Sequence, residues 1–330
     1  MVLKRATVCI LLGAVLATSA AVADEERLTL PREVVTAADA FETYMNGAAS
    51  IDGRFSGGGS VAQAVRTGSA YEPVQLEEGM IGYAAVAALH DQHFVEGVER
   101  AAGRGEGRRD LAEALIRDPF AATRIDGAAG AVHRIEAALA GKSAPVFSAG
   151  QMVKSAAYSV QHQAWSKVMV SDPRGRLAEV KALSASRFEA SENDHRRMMR
   201  GLESLDPGAD QAVAPAGVTP VEARALALAA EAVLGRGDDA ARLSPLLTEY
   251  ASADCLRMSK LNLYQCMAVA GPQYEDIFCL GQHALMDTGR CVAQSVQGGG
   301  AIVSRPAQSA SNAVPYVTLS AHHSFRRGGQ

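Results

Sequence analysis

Aromatic residues make up only 5% of this 330-residue sequence, and Trp165 is its single tryptophan. Sheet faces are filled by aromatic and β-branched side chains, so the shortage argues against a β-rich fold. Alanine, the best helix former, is the commonest apolar residue instead, which points to closely packed helices. Past the N-terminal region no apolar run approaches the ~18 residues that suggest a membrane span. Several motifs are also missing. There is no Cys-x-x-Cys redox pair, no haem-attachment Cys-x-x-Cys-His, no His-Glu-x-x-His and no Gly-x-Ser-x-Gly elbow. The run Gly57-Gly58-Gly59-Ser60 lacks the Lys-Ser/Thr of a phosphate loop and no strand precedes it, so it reads as a connection. These absences remove the common hydrolase and redox classes. No catalytic residue and no cofactor is assigned; catalysis is left open, and a non-catalytic reading is favoured.

What is present begins with an export signal. Lys4 and Arg5 precede the apolar stretch Val8–Ala17, Ala21-Val22-Ala23 supplies small-x-small, and Asp24-Glu25-Glu26 comes directly after. Residues 1–23 therefore read as a cleavable signal peptide, and the destination as periplasmic or secreted. Lys4 and Arg5 are its only charges, so cleavage takes the net charge from −4 to −6. An exported acidic chain is a poor partner for nucleic acid.

Helical periodicity governs nearly every segment. Helices are expected near 29–46, 60–67, 73–102, 108–117, 127–140, 147–170, 173–204, 221–234, 240–250, 254–270 and 274–296. Within 73–102, the stretch Met80–Leu89 is apolar all round. A helix without a polar face belongs at the centre of a fold. Residues 209–219, among small residues, glycine and proline, read as a linker. The expected fold is thus all-α: a multi-helix bundle over 24–208, then a smaller helical unit over 220–297. The tail 298–330 has little apolar pattern and is expected to be disordered.

The mature cysteines are Cys255, Cys266, Cys279 and Cys291. Four cysteines allow three pairings. Along one helix, eleven residues rise ~16 Å, so Cys255 cannot reach Cys266; the same holds for Cys279 and Cys291. Gly271-Pro272 interrupts helix, and the midpoints of 266/279 and of 255/291 both fall on it. The spacing predicts a disulfide-stapled antiparallel helical hairpin with nested bonds, Cys255–Cys291 and Cys266–Cys279. The eleven-residue spacing returns to one helical face after about three turns of ~100° steps; the twelve-residue spacing on the second helix fits less well.

His90, Asp91 and His93 form the one cluster suggestive of a metal or proton-transfer site. The two histidines lie at i and i+3, Glu96 continues their direction, and Asp91 falls on the side of Met80, Phe94 and Val98. A buried carboxylate beside imidazoles is how metal sites are built. His133, His162 or His195 could complete the set. The plainer reading makes both histidines ordinary bundle residues and Asp91 a cap. Glu192–Arg197 reads as a solvated helical face and Trp165 as core. The favoured function is an exported, non-catalytic helical binding or scaffold protein of the cell envelope, with another envelope protein as partner; the alternative is a metal-binding protein or enzyme using His90, Asp91 and His93.

Overall fold

The computed structural model describes residues 30–103, 105–205 and 217–296. The expected signal peptide, the tail expected to be disordered and most of the expected linker lie outside these residues. Among the described residues the chain is all-α, with no strand and only one isolated bridge, Met169 to Pro272.

In chain order the helices are α1 (Arg32–Ala49), α2 (Gly58–Ser69), α3 (Pro73–Leu89), α4 (Gln92–Ala102) and α5 (Glu106–Arg117). A 3-10 turn over Pro119–Arg124 leads to α6 (Ala128–Val160). Then come α7 (Pro173–Ala185), α8 (Glu192–Glu203), α9 (Pro220–Val233), the short α10 (Ala240–Leu243) and α11 (Tyr250–Val269). The final helix, α12, runs over 273–294 in three stretches: Gln273–Cys279 as α, Leu280–Asp287 as π, and Thr288–Gln294 as α.

The all-apolar helix is central, as its sequence requires. Thirteen of the 17 residues of α3 are buried, and α1, α9, α6 and α11 pack around it. Small residues set the closest of these approaches. A side chain on Gly79 would strike the Ala37 carbonyl of α1, so only glycine lets the two backbones come so near. Helix α9 is a second helix buried on nearly every side, with Val221, Leu226 and Leu228 in the core. One hydrophobic cluster extends from Leu30 to Val296, so the helical regions on either side of residues 206–216 share a core.

Four expected helices are broken or merged, each for a local reason, and the expected 240–250 helix shortens to Ala240–Leu243 followed by a 3-10 turn over Ser244–Leu246. The 73–102 helix breaks at His90-Asp91, because Asp91 adopts an extended conformation and caps α4, accepting the Phe94 N–H at 2.9 Å. The segments 127–140 and 147–170 are instead one helix, α6, which ends at Val160 and carries Pro145 inside it. Pro145 is exposed, so the carbonyl it deprives of a partner lies on the solvent side, while Val132, Ile135, Leu139, Val146 and Val153 bury the opposite face. The 173–204 helix breaks into α7 and α8. Between them the Gln75 side chain donates to the Phe188 carbonyl (2.8 Å) and accepts its N–H (2.7 Å), and Ser191 and Asp194 then form a capping box for α8.

Candidate functional site

Helices α11 and α12 form the antiparallel hairpin. The disulfides are nested, Cys255–Cys291 and Cys266–Cys279, with Cα atoms 5.6 Å apart in both. The awkward twelve-residue spacing on α12 is absorbed by its π stretch, which lies between Cys279 and Cys291. A π turn accommodates one extra residue without rotating the helix beyond it. Twelve residues therefore return to the same face as the eleven on α11.

The π stretch also changes the local hydrogen bonding. Carbonyls freed from the regular ladder need other donors. Ser259 Oγ donates to the His283 carbonyl at 2.7 Å and Tyr44 Oη to the Ala284 carbonyl at 3.0 Å. On the outer side, Asp287 accepts from Gln282 (3.0 Å) and Arg290 (3.1 Å) and lies 2.8 Å from His283 Nδ1. Lys154 of α6 donates to Gln282 at 2.7 Å. Glycines let α6 and α12 approach here: any side chain on Gly281 would meet the backbone at Lys154.

Beneath the π stretch is a buried polar spine. Tyr71 Oη lies 3.0 Å from Thr288 Oγ1 and 3.4 Å from Ser259 Oγ. Lys260 is buried beside it, donating to the Ser69 carbonyl at 2.9 Å, with Nζ 3.2 Å from the Tyr71 ring centroid. Burial holds the Lys260 ammonium well below the usual lysine range, opposed only weakly by Glu72. Burial likewise pushes the Tyr71 hydroxyl up to about 12.

At the closed end of the hairpin, Arg176 of α7 locks the turn. It donates to the carbonyls of Met267 and Ala270 and pairs with the buried Asp276 at 2.5 Å. Burial raises the Asp276 carboxyl to about 6, with the Arg176 charge working the other way. Residues 168–170 lie alongside 271–273, through Val170 N–H to the Gly271 carbonyl (2.9 Å) and Gln273 N–H to the Val168 carbonyl (3.2 Å). Around this fixed turn large apolar side chains face solvent: Val269 is 83% exposed, Met169 63%, Val168 58% and Tyr158 54%. Tyr158 stacks edge-on to Phe278, with ring centroids 6.2 Å apart. Together with Tyr274, Val269 and the Cys266–Cys279 bond they line a concavity of about 370 Å³.

The residues of the sequence-derived cluster sit elsewhere. His90 caps the C-terminus of α3, half-buried, and burial and the nearby Arg134 charge lower its pKa. Asp91 is half-buried, and its carboxylate is committed to the α4 cap. His93 is exposed. Of the further candidates, His133 pairs with Glu136 at 3.1 Å, His162 is exposed, and His195 lies 3.5 Å from Asp39. Among the described residues, no three His, Cys, Asp or Glu side chains are arranged to hold a metal ion. Trp165 is half-buried against the core.

Several buried charges escaped the sequence reading. Glu77 and Glu222 are pushed up to about 7 chiefly by burial, and Glu231 is raised by burial against its Arg242 partner. For Lys260 a signal existed: it falls on the apolar stripe Leu256, Leu263 and Met267 of α11, all buried. Among the described residues no helix is long and apolar enough to cross a membrane. No protein-family model, no curated protein and no solved structure matches this chain.

Proposed function

We propose that this is an exported, non-catalytic binding or scaffold protein of the cell envelope, which engages a partner protein through the closed end of its stapled hairpin. The observation that carries the reading is the set of exposed apolar side chains, Tyr158 of α6, Val168 and Met169 of the segment after it, and Val269 of α11, around a turn fastened by a disulfide and by Arg176. Scattered apolar residues are normal on a protein surface, whereas a contiguous group beside a concavity marks a contact face. Pre-ordering such a face lowers the entropic cost of association. Export is supported by the Lys4–Ala23 pattern and by two disulfides, which persist in oxidising compartments.

The test is a pair of charge insertions, Met169→Asp and Val269→Asp. Both positions face solvent, so the fold tolerates them. Chemical crosslinking in the exporting cell, followed by mass spectrometry, gives adducts for the native chain that both variants lose. Adducts unchanged in both variants would remove the hairpin turn as the contact face.

A further inference from the structure

Helix α8 is held against α1 by an unusual seam. Met198 and Leu202 are its buried side chains. Beyond them the contact is made of charge. Arg197 pairs with Glu42 at 3.1 Å and donates to Thr43 at 2.8 Å. Lys142 of α6 reaches the same Glu42 at 3.0 Å and lies over the Tyr83 ring of α3. Glu42, although buried, is therefore well partnered.

Asp39, one turn earlier on α1, is not. It is 2% exposed, and its Oδ1 forms no hydrogen bond. The facing group is the His195 imidazole of α8, whose Nδ1 lies 3.5 Å away, beyond hydrogen-bonding geometry, and is a counter-charge only when protonated. The remaining charges that bear on Asp39 are Asp194 of α8 and Glu42 of α1, both acidic. A carboxylate in this position is costly when charged and tolerable when neutral.

The segment leading into α8 lies over a cavity. Ser186 and Phe188 roof a space of about 250 Å³ whose floor is the Tyr44–Tyr71 pair, with ring centroids 4.5 Å apart. Four hydrogen-bonding or ionic contacts tie this strap to α3 and its cap: the two Gln75–Phe188 bonds, Arg187 with Glu78 (2.7 Å) and Arg187 with Glu72 (3.8 Å). Strap and helix share one continuous stretch of chain, so loosening α8 from α1 frees one end of the cavity roof.

We propose that α8 and the strap before it form a proton-closed clasp over the Tyr44–Tyr71 cavity: the clasp is shut on α1 when Asp39 is neutral and loosens when Asp39 carries its charge. Linkage sets the direction. Burial raises the Asp39 carboxyl from 3.8 to about 6 with the clasp shut, and opening returns it to water. The closed form thus binds the proton more tightly, and closure is lost as pH rises through the closed-state value. Between pH 8 and pH 5 this changes the closed-to-open ratio by roughly tenfold.

The test is hydrogen exchange of the full mature chain from pH 5 to 8, corrected for intrinsic rates. Protection over 192–203 in the native chain falls by roughly tenfold relative to α3 as pH rises. Asp39→Asn, which cannot ionise, keeps the pH 5 protection throughout. His195→Ala removes the group that holds the closed-state Asp39 value down, so protection of α8 falls further than in the native chain and goes on falling to higher pH; this variant serves should Asp39→Asn fail to fold. A flat native profile, an Asp39→Asn profile that falls like the native one, or a His195→Ala profile identical to it overturns the clasp.

Discussion

Replacing Lys260 with methionine should stabilise the protein at neutral pH, although it deletes a hydrogen bond from the core. The ammonium sits in the interior with a carbonyl acceptor, Ser69 O, and the face of Tyr71. That carbonyl is not orphaned by the change. It also accepts from the Tyr71 N–H at 2.9 Å and from Ser184 Oγ at 3.1 Å. The lost hydrogen bond contributes about 1 kcal/mol net. Against it stands the desolvation of a buried charge; exchanging buried ion pairs for apolar groups of similar volume gains about 1–4 kcal/mol, which sets the scale for a lone charge too. Methionine matches the unbranched shape of lysine, and it continues the buried apolar stripe of Leu256, Leu263 and Met267. A net gain of about 2 kcal/mol, or a rise in Tm of roughly 4–8 °C, is expected.

The pH dependence carries the sharper signature. Because burial depresses the folded-state pKa of Lys260, the unfolded chain binds the extra proton. The Lys260 contribution to stability therefore rises with pH until the unfolded lysine also loses its charge, whereas Lys260→Met lacks this component and keeps only the slopes of the other groups. Urea unfolding under non-reducing conditions, at pH 7 and at about pH 9.5, measures the difference between the two chains at each pH. The gap should be wide at pH 7 and narrower at the alkaline end. A gap that is absent, reversed, or equal at both pH values would show that the Lys260 charge is not the cost inferred from its burial.

Two further outcomes concern the buried acids and the staples. Burial raises Asp39 and Asp276 to about 6 and Glu77 and Glu222 to about 7, so their contribution to stability is full below about pH 4 and lost as pH rises through 6–7; unfolding free energy should climb as pH falls from 8 to 5, and Glu222→Gln should flatten part of that climb. Removing a disulfide by paired serine substitution should cost roughly 3 kcal/mol for the 13-residue Cys266–Cys279 separation and roughly 4 kcal/mol for the 36-residue Cys255–Cys291 separation, and equal costs by urea unfolding would argue against the loop-entropy account.

The hairpin was legible in the sequence because helix geometry leaves so few ways to join four cysteines across a Gly-Pro turn. The central helix was legible because Met80–Leu89 has no polar side to show to water. Other features were hidden, each by a competing interaction. Asp91 looked like a buried carboxylate on a continuous helical wheel, but an aspartate after the last apolar residue competes for backbone N–H groups and starts a new helix instead. The expected gap between 140 and 147 did not open, because a long buried stripe carried α6 through it and past Pro145. Phe188 left its helix because Gln75, far away in sequence, holds its backbone. Tyr44, Tyr71, Ser259, Lys260 and Thr288 come together only in three dimensions, and no local pattern announces such a spine.

The most direct measurement of the proposed role places a photo-crosslinking residue at position 269 and, as a control, at Glu113 on the exposed outer side of α5. Irradiated in the exporting cell, the chain labelled at 269 should yield one discrete higher-mass adduct that disappears when Met169→Asp is added, and the chain labelled at 113 should yield none. Equal labelling from both positions, or an adduct at 269 indifferent to Met169→Asp, would contradict a hairpin turn that serves as the partner-binding face.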